Sequence, residues 1–377
     1  MNLAQIVDAF LLASVNGWTD KAKQWLADEP ELANADINAA AMLGEYDAVL
    51  EMLGRHPSLV SRRDARRNWD PLLYLCFSRF HRVDPERASG IVRIARTLLE
   101  RGADPNTCYL PDKKEPHVKH TALYGACGPS NNPALAEVLL EAGANPDDNE
   151  SLYHSVEHPD HECLELLLSH GADTRQTNAL VHMLDTEDPD GVRLLLEHGS
   201  DPNKGIGDKE TTLHWAIRRG RSLEVIKLLV AHGAKVDTRR ETGLTPYAMA
   251  FRRGQMAIAE FLLEHGAKKN LGPNDEFLNA CFRADEARVR ELHAQSPDLA
   301  RSLPPDDMRL LADAAEANQL HTVLLMLDAG FDITARGDYT GTPLHQAALR
   351  GNVDVVKLLL DRGAPVNLRC DTYESTP

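Results

Sequence analysis

The clearest hydrophobic pattern in the chain lies in residues 340–367 and predicts two short antiparallel helices joined by a turn. Thr342 followed by Pro343 is typical of a helix start, because threonine caps free backbone N–H groups and proline is accepted in the first turn. Gly351 and Gly363 stand where the two helices should end. The apolar positions of the two predicted helices are Leu344, Ala347, Ala348, Val353, Val355, Val356, Leu358, Leu359 and Leu360. Such a pair is too small to bury these positions alone, so the pattern predicts packing against neighbouring pairs.

The same pattern recurs along the chain, which indicates internal repeats. Strong copies begin at Thr211 ("TTLHWAIRRGRSLEVIKLLVAHGAKVD") and Thr245 ("TPYAMAFRRGQMAIAEFLLEHGAKKN"), and weaker copies surround them. The glycines that close successive copies are Gly102, Gly143, Gly171, Gly199, Gly233, Gly266, Gly330 and Gly363. Their spacings of 41, 28, 28, 34, 33, 64 and 33 residues predict about eleven repeats of about 27–34 residues, some with insertions.

This pattern resembles the ankyrin repeat family, whose signature combines T-P-L-H, a V-V-x-L-L-L helix and G-A-D-x-N. The resemblance covers nearly the whole chain and is most specific in residues 211–237, 245–270 and 342–367. It implies an all-α fold, an α-solenoid of stacked helix pairs with short β-hairpin fingers on some units. The residues that match the signature are Thr211, His214, Thr245, Pro246, Thr342, Pro343 and His345. In the family the histidine hydrogen-bonds backbone near the hairpins, so His214 and His345 are expected to be structural.

We therefore expect residues 1–377 to form one solenoid. Within it we expect degenerate repeats over 1–64, irregular repeats over 65–204, regular repeats over 205–270, degenerate repeats over 271–335, and a regular repeat with a truncated start of another over 336–377. The truncated start suggests that the natural chain continues. An alternative hypothesis is therefore that this array is the targeting part of a larger enzyme.

Composition points to an intracellular location. The six cysteines stand singly, which suits a reducing cytoplasm, and no apolar run approaches membrane-spanning length. The first residues lack the basic start of a signal peptide. The repeat style and the lack of disordered tails led us to expect a bacterial protein.

Charge is unevenly distributed in this acidic chain of net charge −16. Residues 145–201 hold fourteen Asp/Glu and two Lys/Arg, whereas residues 205–253 hold ten Lys/Arg and five Asp/Glu. Arginines recur at the end of the first helix of several repeats and should align as a stripe, which in ankyrin proteins belongs to the concave, partner-binding surface. The predicted partner-binding residues are Arg218, Arg219, Arg252, Arg253, Arg283, Arg350, Trp215, Tyr247, Phe251 and Tyr339.

Two interpretations of these arginines remain open. They suit a carboxylate-bearing segment of a partner protein, because guanidinium groups bind carboxylates bidentately. They also suit helix C-termini, where they would neutralise the helix dipole and pair with acidic neighbours.

The irregular repeats are the other candidate binding elements. Residues 79–89 form an insertion between two helices, and residues 107–120 form a long hairpin finger. The units that end at Gly171 and Gly199 are short and should lack a full finger, which leaves a small-molecule pocket near them as a remote alternative.

No motif predicts catalysis, and we expect no cofactor. The histidines and cysteine of "HSVEHPDHEC" (His154, His158, His161 and Cys163) lack paired zinc spacing, so we expect turn histidines and no metal. An acidic solenoid repels nucleic acid, and we expect an unidentified protein partner, with no membrane. The leading hypothesis is a non-enzymatic interaction scaffold.

Overall fold

A computed structural model describes residues 2–83, 85–112, 114–115, 118–205, 207 and 209–377, with the backbone alone at position 338. Its contacts divide the chain into two compact units. Unit 1 comprises Met1–Lys204 with Lys227–Gly233, and unit 2 comprises Gly205–Ile226 with Ala234–Pro377. The single solenoid expected over residues 1–377 stays a prediction.

Unit 1 consists of helix pairs and one two-stranded hairpin. Its helices are α1 Leu3–Val15, α2 Thr19–Asp28, α3 Ile37–Leu43, α4 Tyr46–Arg55, α5 Pro71–Cys76, α6 Pro85–Glu100, α7 Ala122–Cys127, α8 Pro133–Glu141, α9 Ser151–Ser155, α10 Glu162–Ser169, α11 Ala179–Met183 and α12 Pro189–Glu197. Short 3₁₀ turns cover Pro30–Asn34, Pro57–Ser61 and Phe80–Arg82. Strands β1 Cys108–Tyr109 and β2 His120–Thr121 are antiparallel, with Cys108 opposite Thr121 and Tyr109 opposite His120.

Unit 2 continues the alternation of short helices. Its helices are α13 Thr212–Arg218, the start of α14 Leu223–Ala231, α15 Pro246–Arg252, α16 Met256–Glu264, α17 Pro273–Phe282, α18 Glu286–Gln295, α19 Pro305–Met308, α20 Leu310–Glu316, α21 Leu320–Asp328, α22 Pro343–Leu349 and α23 Val353–Asp361. Residues Ala300–Ser302 and Asp338–Thr340 form 3₁₀ turns. This helix-rich repeat architecture confirms the predicted all-α fold class.

Recurring polar residues begin the helices. The hydroxyl of Thr245 accepts a hydrogen bond from the Ala248 N–H at 3.2 Å. At α13, His214 accepts from the Thr211 N–H through Nδ1 at 3.3 Å and donates through Nε2 to the Leu244 carbonyl at 3.3 Å. These bonds satisfy backbone groups that the helix and the neighbouring turn leave without an intrahelical partner.

Helix ends use glycine and a preceding histidine. The eight closing glycines named above all have φ between 85 and 96°, a conformation in which a Cβ atom is strained. In four second helices the histidine before that glycine donates from Nδ1 to the carbonyl four residues earlier. These are His170, His198, His232 and His265, at 2.8–2.9 Å. The chain thus uses one local device to end each of these helices.

Each unit has its own apolar core between the helices. In unit 1 the rings of Phe10 and Phe80 lie 5.9 Å apart between centroids, and both side chains are buried. In unit 2 Phe277 and Phe331 stack at 6.3 Å beside the buried Met326. The packing of adjacent pairs therefore buries the apolar stripes that the sequence pattern predicts.

The insertions lie in unit 1. The insertion at residues 79–89 forms the Phe80–Arg82 turn and the first turn of α6, and Asp84 lies outside the described residues. The long finger at 107–120 contains β1 and the start of β2, and its residues Lys113, Pro116 and His117 lie outside the described residues. Whether either insertion binds a partner stays a prediction.

The burial of His214 makes the stability of unit 2 depend on pH. Desolvation lowers the pKa of His214 from 6.5 to about 4, against hydrogen bonds that act to raise it. The unfolded chain therefore binds a proton here between about pH 6.5 and about pH 4 when the folded chain does not. We expect this histidine alone to cost up to about 3 kcal/mol of unfolding free energy across that range. Urea unfolding is measured at several pH values above about pH 5, where carboxylates contribute less to the pH dependence. As the pH falls within this range, His214→Asn should lose less unfolding free energy than the parent chain. An identical slope for the two proteins would contradict this expectation.

Candidate functional site: an arginine cleft in unit 2

The ends of α13 and α15 bring basic side chains to one place in unit 2. Arg218 ends α13 and Arg252 ends α15, each followed by another arginine in the cap position, Arg219 and Arg253. Both helices follow a threonine N-cap, Thr211 and Thr245, and have seven residues, so the repeat itself sets the same position for both arginine pairs.

One buried carboxylate faces two of the guanidinium groups. Glu210 Oε2 lies 3.3 Å from Nη2 of Arg218, and its Oε1 lies 4.0 Å from Nε of Arg240. The side chains of Arg218 and Arg240 are each 9% exposed and that of Glu210 is 7% exposed, so water screens these charges little.

Further carboxylates come from later helices. Arg252 contacts Asp275 of α17 through Nε and Asp307 of α19 through Nη1, the latter at 2.5 Å. Burial raises the pKa of Asp307, and the charge of Arg252 opposes that rise. Arg253 contacts Asp313 of α20. These contacts join residues 23, 55 and 60 positions apart and tie four helices of unit 2 together.

A cleft of about 450 Å³ opens beside these ion pairs. We call it the arginine cleft, defined by its charged lining residues Arg218, Arg239, Arg240, Arg252, Arg253, Arg309, Asp275, Asp306 and Asp307. Six arginines and three aspartates line the cleft, and Glu210 and Asp313 contact three of these arginines, so basic groups outnumber acidic ones by one here in a chain whose net charge is −16. Such a lining attracts carboxylate or phosphate groups.

The predicted aromatic residues differ in position. The guanidinium carbons of Arg218 and Arg219 lie 4.2 and 4.8 Å from the ring centroid of Trp215. Tyr247 is 2% exposed and belongs to the core, which leaves it no surface for a partner. Phe251 is half-buried, with its ring 6.3 Å from that of Tyr247.

The outer members of the predicted stripe do not line the cleft. Arg283 is exposed, and Arg350 bonds Glu316 at 2.5 and 3.1 Å. Tyr339 is 58% exposed, has φ of 53°, and lies 5.8 Å from the ring of Tyr373. The structure thus brings Arg218, Arg252 and Arg253 together and leaves these three residues apart from them. The partner-binding role of the whole set stays a prediction.

The remaining motif residues lie at helix starts. His345 repeats the contacts of His214, with Nδ1 accepting from the Thr342 N–H at 3.2 Å and Nε2 donating to the Ser375 carbonyl at 3.1 Å. Pro246 and Pro343 occupy the first helical positions of α15 and α22.

The histidine-rich turn of unit 1 has separate partners for its members. His158 donates from Nε2 to the Gly128 carbonyl at 2.7 Å, and Nε2 of His161 lies 2.6 Å from Asp188. Cys163 is buried. Within the residues that the structure describes, no group of three or more His, Cys, Asp or Glu side chains is placed to hold a metal ion. None of the helices in the described part of the chain has the length and apolar character to cross a membrane.

Comparison with known proteins identifies the repeats. Residues 179–272 match the family model described as "Ankyrin repeats (3 copies)", and residues 311–360 match that described as "Ankyrin repeats (many copies)". These segments are ankyrin repeats, and their helix-rich fold class is that of the ankyrin solenoid. Ankyrin repeats are protein-interaction modules and are generally not catalytic, so the chain carries a protein–protein interaction domain.

The chain is similar to parts of several known proteins. The chain is 31% identical over 160 residues to Ankyrin repeat and KH domain-containing protein mask-1 of Caenorhabditis elegans, which covers 42% of this chain and 6% of that protein. It is 28% identical over 175 residues to a Danio rerio protein named for palmitoyltransferase ZDHHC13, covering 44% of this chain and 26% of that one. The human ASB11 ankyrin repeat domain aligns with a TM-score of 0.48 and 24% identity, covering 63% of this chain and all of that domain.

Two further facts follow from the relatives. The chain spans far less than two thirds of the length of these curated relatives. The ankyrin relatives come mostly from eukaryotes and viruses, so the expectation of a bacterial source has no support.

Sequence reasoning missed the acidic half of the cleft and Arg240. Glu210 immediately precedes the Thr211 cap, and Arg240 lies in the turn before Thr245. No repeat-wide signal marked Glu210, because Leu244 and Gly341 precede the corresponding threonines Thr245 and Thr342. Asp307 and Asp313 carried no such signal, because they lie in degenerate repeats.

The shared carboxylate should matter for stability. Glu210→Gln would leave the positive charges of Arg218 and Arg240 beside a neutral amide, so we expect a loss of about 3 kcal/mol in the free energy of unfolding. The matched control is Glu316→Gln, which removes the partner of Arg350, a side chain 55% exposed. That change should cost less than about 1 kcal/mol. Urea unfolding measures both, and equal losses would show that burial of the Glu210 pair contributes nothing.

Proposed function

We propose that the chain is a non-enzymatic scaffold that binds a partner protein, and that the arginine cleft of unit 2 receives an acidic segment of that partner. The observation that supports this most is the lining of six arginines against three aspartates. A preformed cleft loses little conformational entropy on binding, so a short acidic segment can gain useful affinity there.

The arginines of the cleft divide into two roles. Arg252 and Arg253 are held by aspartates of later helices and fix the walls. Arg239 is exposed and donates from Nη1 to the Gly243 carbonyl at 3.3 Å. Nε of Arg240 is buried and has no hydrogen-bond partner among the described residues. The exposed Arg239 is therefore the arginine best placed to bind a carboxylate from a partner, and Arg240 beside it adds positive charge from within the wall.

Residues beside the cleft would extend the contact. Trp215, already covered by the guanidinium groups of Arg218 and Arg219, offers the aromatic and arginine combination that is common at interface hot spots. Phe251 is half-buried, and its ring lies 6.3 Å from that of the buried Tyr247. Arg283, Arg350 and Tyr339 do not line the cleft, so they stand outside the proposed contact.

A cytoplasmic location belongs to the same proposal. All six cysteines are free, and five of them are buried. Unpaired cysteines are normal in a reducing compartment and unusual in secreted proteins.

An alternative is that the array targets or regulates a larger enzyme. The relative named for a palmitoyltransferase supports it, because the match covers only 26% of that protein. The full reading frame of the natural gene distinguishes the two. A catalytic domain in the same frame favours the targeting role, and further repeats alone favour the scaffold.

The scaffold proposal is tested with a labelled peptide that alternates glutamate and glycine. Binding is measured by fluorescence anisotropy to the parent chain, to Arg239→Gln/Arg240→Gln, and to the control Arg283→Gln/Arg350→Gln. The control removes the same charge from the same unit, away from the cleft. We expect the cleft variant to lose about tenfold in affinity, equivalent to about 1.4 kcal/mol, and the control to lose little.

Controls for this test concern folding and specificity. Circular dichroism and the urea midpoint must show that both variants remain folded. Equal losses in the two variants would contradict the cleft proposal, since they would reflect general charge attraction, which also weakens with salt. Pull-down with the parent chain and the cleft variant then identifies the natural partner, as the protein retained only by the parent chain.

A further inference from the structure

A second surface with different chemistry lies in unit 1. We call it the aromatic–histidine row, defined as Tyr109, His120, Tyr124, Tyr153, His154 and His182. Neighbouring rings along it have centroids 4.4–5.2 Å apart. The last pair, Tyr153 and His182, is stacked with an interplanar angle of 5°. All six side chains are partly exposed.

The repeats build this row from corresponding positions. Tyr124 lies on α7, Tyr153 and His154 on α9, and His182 on α11, which are the first helices of consecutive repeats. Tyr109 and His120 come from the paired strands β1 and β2, with His120 Nδ1 3.0 Å from the Tyr109 hydroxyl. The row therefore crosses three repeats of unit 1 and the hairpin.

Carboxylates flank the two histidines at one end. Ring nitrogens of His154 lie 2.7 Å from Glu157 Oε1 and 3.4 Å from Glu150 Oε2. Those of His182 lie 3.1 Å from the same Glu157 oxygen and 3.1 Å from Asp185 Oδ2. Glu157 thus bridges histidines of two successive repeats.

The histidines and the carboxylates are coupled by protonation. A carboxylate only accepts hydrogen bonds, so each histidine satisfies both of its carboxylates only as an imidazolium. The hydrogen bond to Asp185 is the main cause that raises the pKa of His182, assisted by Glu157. Burial acts to raise the pKa of Glu157, but hydrogen bonds from His182 and His154 outweigh it and lower that pKa. When a histidine loses its proton, one carboxylate contact loses its donor.

The carboxylates at this end are accessible, and their surroundings are negative. The side chains of Glu157 and Asp185 are 43% and 35% exposed. The segment 145–201 around them holds fourteen acidic and two basic residues. Two basic residues stand near the opposite end of the row: Arg79, whose charge acts on Tyr124, and Lys119, which directly precedes His120.

We propose that the aromatic–histidine row is a docking surface for an arginine- and lysine-rich segment of a partner protein, seated at the Tyr153 end. Guanidinium groups stack on aromatic faces, and cations over such faces gain further from nearby carboxylates. Partner cations then replace His154 and His182 as the donors to Glu157 and Asp185. The proposal rests on unit 1 alone, so its failure leaves the arginine cleft of unit 2 untouched.

The first experiment measures which charges the row binds. Labelled peptides that alternate glycine with arginine, lysine or glutamine are titrated with the full chain near neutral pH. We expect arginine to bind tightest, lysine several-fold more weakly because it stacks less well, and glutamine not to bind measurably. Equal binding of the glutamine peptide would overturn the proposal.

Matched variants locate the contact. Glu157→Gln and Glu165→Gln each remove one exposed carboxylate from the same acidic segment, but Glu165 lies on α10, outside the row. We expect at least a several-fold loss of arginine-peptide affinity for Glu157→Gln and nearly none for Glu165→Gln. Tyr153→Leu, which keeps bulk without the aromatic face, should also weaken binding. Similar losses for both glutamate variants would indicate general attraction and reject the row, provided that circular dichroism shows both folded.

The pH dependence of peptide affinity distinguishes a binding role of the row from a purely structural one. The pKa of His182 is raised, and its proton is lost as the pH rises through that pKa. Arginine-peptide binding should therefore tighten several-fold as the pH is increased from slightly acidic to alkaline values. In the double variant His154→Gln/His182→Gln the affinity should change little over the same range. A flat profile for the parent chain would contradict the proposal, because the peptide would then not compete with the histidines for these carboxylates.

Discussion

The structure depends on the fact that its helices are too short to be stable alone. Most first helices have five to seven residues and most second helices eight to ten, below the length at which an isolated helix persists in water. Stability must therefore come from the packing of adjacent pairs, and each helix end must be satisfied within a few residues. The threonine caps, the histidines before the closing glycines and the glycines themselves meet that requirement locally. They leave the outward positions of the first helices free for other chemistry.

Those free positions carry opposite chemistry in the two units. In unit 2 they hold arginines around a cleft, with buried carboxylates that fix the walls. In unit 1 they hold tyrosines and histidines with exposed carboxylates between them. In both places the charged groups already have partners within the protein, so a bound segment must exchange contacts. Such exchange favours selectivity over raw affinity, since a poorly matched segment cannot replace the hydrogen bonds that it displaces.

Local signals in the sequence were enough to predict the repeat and the ends of its helices. Thr342 with Pro343, the closing glycines and the helical apolar stripes all act within one repeat, and the structure shows them as helix starts, left-handed turns and core. The contacts of each arginine could not be predicted from such local patterns. Arg252 contacts Asp307, which lies 55 residues later in the chain, and no sequence pattern links the two positions. Tyr247 was expected at the surface because it stands near the arginines in sequence, yet it faces the core. The unit 1 row was visible only as acidity and scattered histidines, because ring stacking depends on how three repeats pack.

The two kinds of polar contact differ in what happens when a repeat is gained or lost. A histidine that caps its own helix travels with that helix, so duplication of a repeat copies the cap intact. The pairs of Arg252 with Asp307 and of Arg253 with Asp313 join positions 55 and 60 residues apart. Insertion or deletion of one repeat between them would separate both pairs at once. The arginine cleft should therefore hold the number of repeats constant in its part of the chain during evolution, while repeats elsewhere remain free to multiply.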